Sequence, residues 1–170
     1  MNAILVVTLV VASAAAQTGS LTFTAPAGWQ PRAAACKMRV AEFVVPKAAG
    51  DPEDAEVIVY FFGGTAGSVD ANIERWIGQF QQPSGRAADG NRSTRTAGAL
   101  KITIVDVSGT YVAEISPGSA KRHNKPNYRM RAAVVETPGG PYFVKFTGPS
   151  GTVKQGSAAF DKFLDSLRFK

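Results

Sequence analysis

Apolar residues recur along this chain in two rhythms, and the rhythms place the elements. Leu21 and Phe23 alternate within residues 20–26, which predicts a short opening strand, and residues 27–31 form a turn anchored by Trp29. Residues 38–45 read as a second strand, ended by Pro46. Residues 56–62, EVIVYFF, are apolar on both faces: Val57, Val59 and Phe61 on one, Ile58, Tyr60 and Phe62 on the other. A strand apolar on both faces is covered on both, so this one belongs in the middle of a layered domain. Further strands are predicted over 100–107, 128–136 and 141–148. The last two are joined by the Thr137–Pro141 turn, whose glycines supply positive φ.

The helical rhythm appears twice. Val69, Ile73, Trp76, Ile77 and Phe80 fall at i, i+4, i+7, i+8 and i+11, with Ser68 or Asp70 as the N-terminal cap. Asn72, Arg75, Gln79 and Gln82 are expected on the polar side, and Trp76 in the core. Near the end, Phe160, Phe163, Leu164 and Leu167 share one face of a closing helix over 158–169. The stretches 82–98 and 114–127 are polar and read as long loops, and residues 108–111 as a turn or bulge. Strands joined by hairpin-like connections, with two amphipathic helices, predict an α+β class: a mostly antiparallel twisted sheet sandwiched by helices.

Residues 3–12 are apolar and are followed by small residues, with Ala14-Ala15-Ala16 offering an A-x-A site. This is the layout of a secretory signal peptide over 1–16, cleaved after Ala16, although no Lys or Arg precedes the apolar run. It is too short to span a bilayer, which takes about 20 residues, so no stable membrane insertion is expected after cleavage. The product would be secreted or periplasmic, with residues 17–170 as a single domain.

The first 16 residues carry no charged side chain, so the formal net charge of +6 belongs to the domain. A basic domain favours acidic partners. Export speaks against nucleic acid, as does the single aromatic, Tyr128, among the basic residues where several would be wanted. Arg122, Lys125, Arg129 and Arg131, with Lys121, His123 and Tyr128 among them, are the candidate partner-binding residues. Arg129 and Arg131 share a strand face opposite Tyr128 and Met130. Arg86, Arg92 and Arg95 would extend the cationic surface.

The segments FTAPAGW (23–29), YFVKFTGP (142–149) and AFDKFLDSLRF (159–169) resemble the PsbP-type superfamily, and the resemblance spans most of the domain. That superfamily holds extrinsic photosystem II subunits, a Ran-binding nuclear transport factor and many secreted bacterial proteins. The chain also looks like a group of uncharacterised exported bacterial proteins with an N-I-E-R-W-I-x-Q-F helix, here Asn72 to Phe80. The resemblance implies a helix–sheet–helix fold and non-enzymatic binding or assembly. It carries no catalytic residue across, and nothing here matches a photosystem-specific or Ran-specific feature.

Residue chemistry excludes most other classes. Gly63, Gly64 and Gly67 lie between a strand and a helix, where a phosphate loop would lie, but the Walker lysine and the spacing are missing. No G-x-G-x-x-G is present, so no dinucleotide fingerprint exists. The acidic turn Asp51, Glu53, Asp54 and Glu56 lacks the EF-hand spacing and reads as a solvated loop. Cys36 and His123 are the only cysteine and histidine, which leaves no dedicated zinc set, no disulfide and no evident catalytic pair. No cofactor is expected. The expected function is therefore an exported, non-catalytic binding or assembly module of the cell envelope, for an unknown acidic component or protein. The alternative is a small exported hydrolase with a carboxylate site, which leaves no sequence signature.

Overall fold

The computed structural model describes residues 19–64 and 66–170, so the expected signal peptide lies outside the described residues. The elements run β1 (Leu21–Thr22), β2 (Gln30–Arg32), β3 (Arg39–Val45), β4 (Ala55–Phe61), α1 (Val69–Ile77), β5 (Phe80–Gln81) and β6 (Gly90–Ala97). They continue with β7 (Leu100–Tyr111), β8 (Lys125–Glu136), β9 (Tyr142–Pro149), α2 (Ser150–Asp165) and β10 (Arg168–Phe169). Eight strands form one sheet in the order β2-β3-β4-β9-β8-β7, with β5 and β6 both pairing β7. All of these pairings are antiparallel. β1 and β10 form a separate pair that joins the two ends of the domain.

The two helices cover opposite faces. On the α2 side, Trp29, Phe43, Val57, Val59, Val144 and Phe146 pack against Phe160, Phe163 and Leu164. Trp29 is the hub, with ring centroids 5.2 Å from Phe163 and 5.6 Å from Phe43. On the α1 side, Ile73 and Trp76 pack on Val105, Met130, Ala132, Val134 and Phe143. The two-faced apolar pattern of residues 57–61 is thus that of an interior strand: β4 lies between β3 and β9 and serves both cores. The class is α+β, as the two rhythms predict.

Three expectations need correction. Residues 82–98 are not one loop, because Gly90–Ala97 form β6, paired with β7 from Gly90↔Val107 to Ala97↔Leu100. β6 is exposed along most of its length, so it has no hydrophobic alternation to betray it. The closing helix spans Ser150–Asp165: it starts well before residue 158, stops short of Arg168–Phe169, which form β10, and its first half includes Gly151 and Gly156, poor helix formers. Its start is held from outside: Asp51 Oδ2 accepts from both the backbone N–H and the hydroxyl of Thr152, each at 2.6 Å. The acidic turn therefore contains a helix cap. Finally, Asn72 is buried (2% exposed) and donates to the carbonyls of Ala66 and Ser68, which fixes the entry into α1.

Ser68 is the N-cap of α1, its hydroxyl accepting from Ala71 N–H at 3.1 Å. Trp76 is in the core, 3% exposed. The glycine-rich stretch before it is a packing joint. Gly140, in the β8–β9 hairpin at φ +111°, approaches so closely that a Cβ there would lie 2.5 Å from Gly64 Cα. Ser108–Tyr111 continues β7, with a register shift between Gly109 and Tyr111.

Candidate functional site

The two helices differ in length, and the difference creates the site. α1 has nine residues and α2 sixteen. At 1.5 Å per residue α1 covers about 13 Å, whereas the twelve residues of β8 run for about 40 Å. α1 therefore leaves part of its face bare. The β7–β8 connection folds over the gap as an arm, closed on itself by Ile115 N–H to Lys121 O (3.1 Å) and His123 N–H to Ala113 O (2.8 Å). Val112 N–H donates to Gln79 O at 2.8 Å and ties the arm to the end of α1. Between arm, helix and sheet lies a cavity of about 720 Å³.

Lys145 forms its floor. It stands in the middle of β9, between Ile58 of β4 and Ala132 of β8, on the α1 face. Its neighbours on that face along the strand, Phe143 and Thr147, are buried. Its ammonium donates to Gln79 Oε1 at 3.0 Å and has no carboxylate partner among the described residues. Desolvation, aided by the charges of Arg75 and Arg39 and opposed by Glu56, pushes it down to about 8.

The walls add more positive charge than negative. Arg39, Arg75 and Arg122 line the cavity together with Lys145, against Glu56 and Glu114. Arg39 is paired with Glu42 (3.1 Å), Arg122 with Glu114 (3.7 Å), and Glu56 with Arg32 (3.0 Å). Among the described residues Arg75 bonds only the amide oxygen of Asn72, at 2.6 Å. Two cations, Lys145 and Arg75, thus face the cavity without counterions among the described residues.

Two stacked ring pairs stand among the remaining lining residues. Tyr111 stacks on His123 with centroids 5.3 Å apart, and Tyr60 on Phe62 at 5.8 Å. Arg39 lies over the Tyr60 ring at 5.7 Å. Burial pushes the Tyr111 hydroxyl up to about 12 and raises that of Tyr60 as well, so both remain neutral donors at pH 7. Phe62 and Ile115 are among the few exposed large apolar side chains, and both line this cavity.

A smaller cavity of about 430 Å³ adjoins the first through Glu56, Tyr111, His123 and Thr147. Most of its charges are paired with one another. Lys125 donates to both oxygens of Glu53 at 2.9 Å, and the Tyr128 hydroxyl donates to Glu53. These bonds hold the Glu53 carboxyl below its ordinary range. Burial works against the charge of Glu42, but the Ala35 N–H, Arg39 and Arg32 together hold it below that range too.

The fold separates the four candidate partner-binding residues. Arg122 is on the cavity rim and Lys125 beside the adjoining pocket. Arg129 and Arg131 face the α2 side. Arg129 makes a bidentate pair with Asp106 (2.7 and 2.6 Å), and Arg131 binds Asp161 and Asp106 with its side chain 13% exposed. Arg92 pairs with Asp70 and Glu74, and Arg95 with Asp161 and Asp165. Cys36 is exposed in the β2–β3 connection, and His123 is in the arm. Among the described residues no group of three or more His, Cys, Asp or Glu is gathered to hold a metal ion. None of the described helices is long and apolar enough to cross a membrane.

Lys145 and Arg75 were the residues hidden from sequence reasoning. Lys145 is one polar residue in an apolar strand, where outward exposure is the ordinary reading. The sole signal was the interruption of YFVKF by a charge on a strand with both faces covered.

No family model matches the chain, and no curated protein matches it. Among solved structures it matches the solution structure of cyanobacterial PsbP (CyanoP) from Synechocystis sp. PCC 6803, with 12% identity and a TM-score of 0.49, over 89% of this chain and 93% of that one. The match says nothing of what this chain binds.

Proposed function

We propose that this protein is an exported, non-catalytic binding or assembly module of the cell envelope, and that it takes an anionic group of its partner into the cavity beneath the arm. The observation that carries this reading is the pair of cations without counterions, Lys145 and Arg75, aimed into one concave space. A desolvated lysine is costly to the fold, and an anion is the ligand that relieves the cost. Arg122 on the rim guides the approach of such a partner, and Lys125 extends the positive edge. Export rests on the apolar leader and small-residue site of residues 1–16. The hydrolase alternative gains no support from Glu42 and Glu53, whose carboxyls are shifted opposite to the direction a general acid needs.

The test is capture from an envelope fraction of the native organism with residues 17–170 as bait, at low and high salt, beside titration of the labelled protein with acetate and inorganic phosphate. Salt-sensitive capture, and amide shifts around Lys145, Gln79 and Arg75, are expected. Capture of the same component, equally well, by the Lys145→Met/Arg75→Gln double variant would overturn the reading.

A further inference from the structure

We infer that the cavity is a site for a small aromatic carboxylate, whose head sits between Lys145 and Arg75 and whose ring lies against the aromatic walls. This rests on the anion-binding reading above and narrows it to a ligand class. Three features converge. The volume, about 720 Å³, is that of a small-molecule site and not of a flat docking surface. The two positive groups without counterions among the described residues, Lys145 on the floor and Arg75 on α1, line the same cavity, and the Arg75 charge acts on Lys145. Two stacked ring pairs, Tyr60–Phe62 and Tyr111–His123, are part of the lining.

Each group has a stated part. The Lys145 ammonium supplies a point charge close to the carboxylate, and the Arg75 guanidinium a planar fork that matches it. Gln79 holds the lysine in place through its amide oxygen. Exposed Phe62 and Ile115 supply apolar surface that a ligand ring removes from water. The Tyr60 and Tyr111 hydroxyls stay protonated at neutral pH and serve as donors. Glu56 and Glu114, the two carboxylates of the lining, set an upper limit on ligand charge: a monoanion meets less repulsion than a polyanion.

The experiment titrates the labelled protein with 2-naphthoate, cyclohexanecarboxylate, acetate and 2-naphthalenemethanol. 2-Naphthoate is expected to bind saturably, with a Kd about tenfold below that of acetate and severalfold below that of cyclohexanecarboxylate. Its shifts should centre on Lys145, Tyr60 and Tyr111. Lys145→Met should weaken it by about tenfold, and Lys145→Arg should restore part of the loss. Arg75→Gln, a change on the surface of α1, provides a second variant with an expected severalfold loss. Binding of the uncharged alcohol as tight as that of the acid, or naphthoate binding unchanged by Lys145→Met and Arg75→Gln, overturns the inference. If acetate perturbs the cavity and naphthoate binds no better, the aromatic class falls while the anion reading stands. If no anion perturbs it, both fall.

Discussion

Asp51, in the turn between β3 and β4, caps the helix that begins at Ser150: its Oδ2 accepts from the backbone N–H and from the hydroxyl of Thr152, both at 2.6 Å. The cap comes from a residue about a hundred positions away and so ties the β3–β4 hairpin tip to the start of the last helix. Pro149, at the N-cap position itself, provides no side-chain bond. Asp51→Ala is therefore expected to cost about 1–2 kcal/mol in urea denaturation. Gly151→Ala would put a Cβ 2.8 Å from Asp51 Oδ2, but it also replaces a poor helix former, so its loss should be smaller than that of Asp51→Ala. Unchanged stability in Asp51→Ala would mean that water caps the helix equally well.

Lys145→Met should stabilise the protein at pH 7 by roughly 1–3 kcal/mol. The folded-state value of Lys145 is about 8 against an ordinary 10.5. The unfolded chain thus binds more protons between those values, and wild-type stability rises with pH across that window. The charge of Lys145 weakens the fold below pH 8, and the penalty fades as pH climbs toward 10.5. The groups around it, Glu56, Arg39, Arg75, Arg122, Glu114, His123 and the two tyrosines, are the same in wild type and variant. Chemical denaturation of both proteins between pH 7 and 10.5 should show their difference shrinking. A constant difference would contradict the assignment.

Glu42→Gln should cost about 2–4 kcal/mol, because it leaves Arg32 and Arg39 around a neutral side chain that is 1% exposed. The Glu42 carboxyl is held below its ordinary 4.5, so its contribution is present above that pH and is lost as pH falls through the lowered value. The variant should show a shallower decline of stability in acid than wild type. Parallel acid curves would argue that other carboxyls govern the decline.

Gly140→Ala should destabilise by about 2 kcal/mol or more, through positive φ and the collision with Gly64 Cα. A wild-type melting temperature would show that the two loops part freely.

How legible this was from the residues depends on what each element buries. β4, α1 and the second half of α2 were plain, since they carry full apolar patterns over Val57–Phe61, Val69–Ile77 and Phe160–Leu164. β6 was invisible, because an exposed edge strand needs only a ladder and its flanking ion pairs. The start of α2 was invisible because its cap lies far away in sequence. The candidate site was the least legible part. Its components, Lys145, Arg75, Tyr60 and Tyr111, come from four elements, and the mismatch between a short helix and long strands is a property of the assembly. The basic run 121–131 was conspicuous, yet strand alternation sends Arg129 and Arg131 to the other side, where Asp106 and Asp161 neutralise them.

The short reach of α1 has one more consequence. The larger buried cluster, around Trp29 and Phe163, lies behind the sheet, and none of its buried members borders the cavity. The arm from Ala113 to Asn124 can then exchange side chains, or change length, with little penalty to the rest of the molecule. The architecture is a frame with a replaceable panel: descendants of one ancestor can keep the frame and diverge in what the panel admits.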